Sequence, residues 1–297
     1  MTPFLGAALV TLLAVAACGL MRHPTGKSYA FTVWVFAFVA ASMFYPGAFG
    51  TWFGLDLKFL IVPLIQIIMF GMGTTLSPAD FARVLRMPWP VVVGMLLQFT
   101  VMPFVGYGLT RVFGFEAEIA AGVVLIGSAP GGVASNVINY LARCNVALSV
   151  TMTAVSTLMS PLMTPLMMKL LAGRYIEVSF LKMMIDIINM IIVPVVAGLA
   201  ANRLLYGRQP VLRRAGALAA IGAASFIVAF DLWLLPAGTL GGLRDGLIVG
   251  CAMVGVVALA KVVVALWIRG PENWMDRALP VVSMAGICFI IAIITAR

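Results

Sequence analysis

Runs of apolar residues alternate with short clusters of Arg, Lys, Pro and Gly from one end of the chain to the other. They cover residues 4–20, 29–46, 58–75, 88–112, 118–141, 146–170, 178–204, 212–236, 243–268 and 277–296, and the run over 118–141 is interrupted. A helix needs about 20 apolar residues to cross a hydrocarbon core, and each run meets or approaches that length. Strands of a membrane barrel would instead alternate apolar and polar positions over about ten residues, a pattern these segments lack. The pattern therefore predicts an all-α fold, a polytopic transmembrane bundle of about ten helices with a discontinuous helix near Pro130–Ser135.

Composition narrows the class. Of 297 residues, 63% are hydrophobic and 10% charged, and mean hydropathy is +1.12. A water-soluble domain carries about 25% charged residues, so a soluble globular domain, a disordered chain and a nucleic-acid binder are all excluded. The net charge of +9 then reads as topology, because Lys and Arg gather in cytoplasmic loops. One set of alternate loops holds Arg22, Lys27, Arg83, Arg86, Arg143, Arg203, Arg208, Arg213, Arg214, Arg269 and Arg277. The other holds Lys58, Arg111, Lys169, Arg174, Lys182, Arg244 and Arg297. Placing the richer set in the cytoplasm puts the N-terminus outside, in a multi-pass protein of the inner (plasma) membrane. Met1-Thr2-Pro3 supplies no basic leader, which favours an extra first helix, although Val15-Ala16-Ala17-Cys18 resembles a lipoprotein cleavage box. Cys18, Cys144, Cys251 and Cys288 lack metal-binding spacing and are expected as buried thiols, and the single His23 offers a zinc site nothing to build on.

The most informative stretch is Gly127-Ser128-Ala129-Pro130-Gly131-Gly132-Val133-Ala134-Ser135-Asn136. Pro followed by two Gly disfavours a continuous helix. Unpaired backbone at membrane depth is tolerated only where it is buried in protein or lines a water-filled cavity. The expected geometry is a half-helix ending near Pro130 and a second one starting near Ala134 or Ser135. Its first amides would favour an anion and the freed carbonyls a cation. A simple kink repacked by neighbouring helices is the alternative. In the next run, Ser149, Thr153, Ser156 and Ser160 follow spacings of four, three and four, which puts their hydroxyls on one helical face. Such a stripe serves helix packing or, beside a broken helix with Ser135 and Asn136, a hard-cation site built of neutral oxygens. Gln98 is a further amide ligand, or an interhelical hydrogen-bonding group. Asp231 and Lys261 differ in depth by roughly 15 Å, too far to pair, and Lys261 is expected to snorkel. An intramembrane serine hydrolase using Ser135 or Ser149 would need a Lys or His base, and none is placed to serve, so no enzyme and no cofactor are expected.

The segments carrying these features resemble the bile acid:sodium symporter family, including its bacterial and plastid organic-anion members. The resemblance lies in Phe70-Gly71-Met72-Gly73-Thr74-Thr75-Leu76 before Asp80-Phe81, then Gln98 and Met102-Pro103, then Pro130 to Val137. It continues through Tyr140-Leu141-Ala142-Arg143, Asn145 to Val150 and Val155-Ser156-Thr157-Leu158. In all it covers roughly 29–204, with Ala278 to Met284 similar to the start of the family's seventh helix. It implies two inverted five-helix repeats whose broken helices cross near the midplane. It also implies sodium-coupled symport of organic anions, bile acids or small carboxylates, by alternating access. By position in the motif, Ser135, Asn136, Ser149 and Thr153 would form one sodium site and Gln98 part of a second. Gly131, Gly132, Val133, Ala134 and Asn136 would line the substrate site. Sodium would enter as coupling ion, with the organic anion and the lipid bilayer as the other partners. One transmembrane domain, 1–297, would comprise an extra helix and loop (1–28), family-like helices (29–204), an inserted helix pair (205–276) and the start of the second half (277–297). The family's second broken helix, with its acidic sodium ligand, has no match in these residues, so the second inverted repeat is expected to be incomplete. That departure leaves two alternatives: a proton-coupled or uncoupled organic-anion transporter, or a truncated non-transporting fragment.

Overall fold

The computed structural model describes residues 3–22, 27–52, 54–76, 88–132, 135, 139, 144–206, 215–236, 242–263 and 274–296. Among them, helices occupy each of the apolar runs, and the only strands are two of two residues each. Among the described residues, six helices are long and apolar enough to cross a membrane, and four shorter apolar helices accompany them. The all-α transmembrane bundle expected from the apolar pattern is what the chain forms.

The chain divides into two compact units, Met1–Gly71 with Trp267–Arg297, and Met72–Leu266. In the first, α1 (Pro3–Arg22) packs along α2 (Lys27–Phe44), where Gly6 lies under the Phe44 ring so closely that a Cβ would overlap it. A short antiparallel pairing, Thr51–Trp52 with Leu55–Asp56, turns at Gly54 (φ +82°), a conformation open to glycine. The Asp56 carboxylate then accepts from Lys58 N–H at 2.9 Å, capping the 3-10 turn that leads into α3 (Ile61–Thr75). The last helix of the chain, numbered α10 below (Trp274–Thr295), joins this unit through the Ser42 and Thr295 hydroxyls, 2.5 Å apart, and through Gly286, which faces Leu64 and Ile68.

The second unit carries α4 (Pro88–Phe113), α5 (Ala117–Gly127) and α6 (Val146–Met167, continued by a π-helical turn Met168–Ala172). Next comes α7, made of Phe180–Ile187, a π-helical turn Ile188–Ile192 and Val193–Tyr206. The pair α8 (Ala215–Leu234) and α9 (Arg244–Val263) completes it. Small residues let these helices approach closely, as expected where lipid removes the hydrophobic drive between them. Gly106 and Gly127 bring α4 and α5 into backbone contact, Gly255 sits against the Phe226 ring, and Gly250 against Val193. Polar side chains are spent on helix ends. Arg244 donates from Nε and Nη2 to the Leu232 and Trp233 carbonyls at 3.0 and 2.5 Å, at the negative end of α8. Lys261 Nζ donates to the Leu204 carbonyl at 2.6 Å, and Asp231 is exposed elsewhere on α8.

One expectation is corrected. The cysteines are free thiols, but only Cys288 is buried, Cys251 is half-buried, and Cys18 and Cys144 are exposed. A thiol behaves as a small apolar group, and in a membrane-spanning chain such a group need not turn inward.

Candidate functional site

Helix α5 stops three residues before Pro130. A residue preceding proline is disfavoured from the helical region, and Pro130 brings no N–H of its own. Ser128 is therefore the last residue with helical geometry (φ −90°, ψ −2°). Its hydroxyl folds back to donate to the Val124 carbonyl at 2.8 Å, and its N–H reaches Val124 and Leu125. Ala129 bends, Pro130 to Gly132 are neither helix nor strand, and helical backbone returns at Ser135 and Asn139. The break expected near Pro130–Ser135 is present, with its upstream edge shifted to Gly127.

The broken stretch leaves backbone groups that water would satisfy in a soluble protein. Here side chains of α4 and α6 satisfy them. Gln98 Nε2 donates to the Ala129 carbonyl at 2.9 Å, and Thr164 Oγ1 donates to the Ser128 carbonyl at 2.7 Å. Gly131 N–H donates to Ser156 Oγ at 3.1 Å, and Ser156 passes its own proton to the Thr153 carbonyl at 3.1 Å. Ser135 Oγ donates to the Gly132 carbonyl at 2.7 Å. The hydroxyl stripe read from α6 thus faces the break. Thr153, Ser156, Ser160 and Thr164 are all buried, and Ser149 is half-buried. Ser160 has a separate duty: Pro161 has no N–H to give the Thr157 carbonyl, and the Ser160 hydroxyl donates there instead at 2.7 Å.

These groups surround a cavity of about 610 Å³, a volume within the range of small-molecule sites. Its polar wall includes Gln98, Ser135, Asn139, Ser149, Thr153 and Ser156, and its apolar wall Met102, Ile126, Leu148 and Met152. Gly131 and Gly132 form part of the rim. Gln98, Ser135, Ser149 and Thr153 are therefore gathered in one place, as are Gly131 and Gly132. Asn136, Val133 and Ala134 lie outside the described residues. In this arrangement the Gly131 amide is engaged by Ser156, so an anion docking there would have to displace the hydroxyl. Neutral hydroxyl, amide and carbonyl oxygens are the ligands a hard monovalent or divalent cation takes. Among the described residues, no group of three or more His, Cys, Asp and Glu is placed to hold a transition metal.

Two residues escaped the reading of the chain. Asn139 donates from Nδ2 to the Ser135 carbonyl at 2.9 Å and to the Ser149 hydroxyl at 3.0 Å. Its signal was the four-residue step from Ser135, which puts both on one helical face. Thr164 continues the stripe one further step of four beyond Ser160.

The family model described as Sodium Bile acid symporter family matches residues 62–233. The chain belongs to that family. The matched region contains the break, the stripe on α6, Gln98 and also α8, the first helix of the pair read as an insertion. The chain is similar to the uncharacterized sodium-dependent transporter YocS of Bacillus subtilis, 37% identical over 198 residues. That alignment covers 67% of this chain and 59% of YocS. It is also 37% identical over 185 residues to the probable chloroplastic sodium/metabolite cotransporter BASS1 of rice, covering 61% of this chain and 43% of the relative. The ileal sodium/bile acid cotransporter of Cricetulus griseus is 40% identical over 89 residues, which is 30% of this chain and 26% of that protein. The chain thus spans less than two thirds of the length of these curated relatives.

Proposed function

We propose that this chain carries the ion and substrate site of a sodium-coupled secondary transporter of organic anions, either bile acids or small carboxylates, in the inner (plasma) membrane. The observation that carries the reading is the helix break of Ser128 to Gly132 opening onto a cavity walled by hydroxyl and amide oxygens. On this reading Ser135, Asn136, Ser149 and Thr153 ligate one sodium ion and Gln98 contributes to a second. The substrate carboxylate docks at the Gly131–Asn136 backbone, and the apolar wall of Met102, Ile126, Leu148 and Met152 takes its hydrocarbon part. No cationic side chain lines the cavity among the described residues, so amides and a bound sodium ion would have to balance the anion's charge. That dependence couples the two: the anion binds well only beside the cation, and alternating access then carries both.

Sodium binding predicts a sodium-specific stabilisation. A ligand at 100 times its dissociation constant stabilises the folded state by about 2.7 kcal/mol, which for a chain of this size amounts to a rise in Tm of about 4 °C. Thermal unfolding of the purified protein in detergent, with NaCl exchanged for KCl at constant ionic strength, measures it. The shift should appear with Na⁺, be absent with K⁺, and vanish in Asn136→Ala and Thr153→Val. Equal stabilisation by K⁺ would overturn sodium coupling.

A further inference from the structure

Ser135 lies beyond the break and Ser149 on α6, and a single nitrogen joins them. Asn139 Nδ2 spends its two hydrogens on the Ser135 carbonyl and the Ser149 hydroxyl, at 2.9 and 3.0 Å. We propose that Asn139 is a positioning residue that sets the spacing of the oxygens around the cation and so determines selectivity among monovalent ions. This inference rests on the cation reading given above.

A serine hydroxyl is a rotor that offers a proton or a lone pair according to what faces it. A cation accepts only lone pairs. An N–H directed onto Ser149 Oγ occupies one lone pair and restricts how the hydroxyl turns, which fixes where its remaining lone pair points. The same nitrogen holds the Ser135 carbonyl, so an oxygen from each chain segment is referred to one atom. Thr153 sits one turn beyond Ser149 and donates to the Ser149 carbonyl at 3.1 Å, which keeps its own oxygen in register. Na⁺ and Li⁺ carry the same charge and differ in radius, so charge cannot tell them apart; the number and spacing of coordinating oxygens can. Among the described residues, Ser156 to Gly131 and Thr164 to Ser128 tie the break to α6 farther along that helix. Losing Asn139 therefore loosens the site at Ser149 while Ser128 and Gly131 stay held.

The test compares Na⁺, Li⁺ and K⁺ titrations of thermal stability for purified wild type, Asn139→Ala, Ser149→Ala and the double variant, with Asn139→Gln as a second single variant. Asn139→Gln keeps the donor but moves it by one methylene, and it stands in if the alanine variant does not fold. We expect half-saturating Na⁺ to rise about tenfold in Asn139→Ala and in Asn139→Gln, with the preference for Na⁺ over Li⁺ falling in both. Because Asn139 acts through Ser149, Asn139→Ala added to Ser149→Ala should cost much less than it costs alone. Unchanged half-saturation, unchanged Na⁺ over Li⁺ preference, or additive effects in the double variant would each overturn the proposal. A wild type indifferent to Na⁺ would instead refute the underlying cation reading.

Discussion

A hydroxyl inside a membrane protein is expensive unless it is used, and the uses differ along α6. Ser160 repairs the gap left by Pro161, whereas Ser156 and Thr164 reach across to the broken backbone. Removing the Thr164 hydroxyl leaves the Ser128 carbonyl without that donor in a buried setting, and an unsatisfied buried acceptor costs about 1–3 kcal/mol. Thr164→Val, nearly identical in shape, should therefore destabilise the protein by about that amount in a heat-unfolding assay. Thr100→Val is the control. Thr100 is exposed and its hydroxyl returns to the Leu96 carbonyl of its own helix, so its removal should cost under about 0.5 kcal/mol. At this scale the sequence was partly readable. Spacing alone placed Ser149, Thr153, Ser156 and Ser160 on one face. Which of them serves the break and which mends a proline depends on the partner across the gap, and periodicity says nothing about partners.

At the scale of elements, the glycines of α5 separate helix propensity from packing. A Cβ at Gly127 would run into the Met102 carbonyl and Pro103 of α4, whereas a Cβ at Gly122 would meet nothing within 4 Å. Gly127→Ala should then lower stability by about 1–3 kcal/mol through forced separation of the backbones. Gly122→Ala should be neutral or stabilise by up to about 1 kcal/mol, since alanine is the better helix former. Unfolding midpoints of the two variants in one detergent decide the matter; an equal gain at both positions would show that propensity, not close approach, governs α5. The same contrast explains what was legible of the elements. Long apolar runs with polar breaks located the long helices among the described residues, because the requirement to span a bilayer is written in residue counts. The end of α5 was read three residues late, at Pro130, because the penalty falls on the residue before proline and the Ser128 hydroxyl closes the last turn early. The π-helical turn at Ile188–Ile192 left no trace in hydropathy, since one extra residue in a turn keeps the segment apolar. Asn189 sits in that turn and donates to the Gly242 carbonyl at 2.6 Å.

For the whole molecule, charge placement predicts which side of the membrane the cavity serves. The alternate loops beginning with Arg22 and Lys27 and including Arg203, Arg208, Arg213 and Arg214 hold the larger share of basic residues, which predicts that they face the cytoplasm. The opposing set contains Arg244, but its guanidinium caps the carbonyl end of α8, where the helix dipole partly balances its charge. Discounting it widens the asymmetry. On that prediction Arg203, exposed in the last turn of α7, would mark the inner face, and Glu116, in the short connection between α4 and α5, the outer one. In a variant with Cys18, Cys144, Cys251 and Cys288 replaced, Glu116→Cys should react with a membrane-impermeant maleimide on intact cells. Arg203→Cys should react only after permeabilisation. The opposite pattern would invert the molecule, and with it the direction in which a cation gradient could drive an anion past the Ser135–Ser149 site.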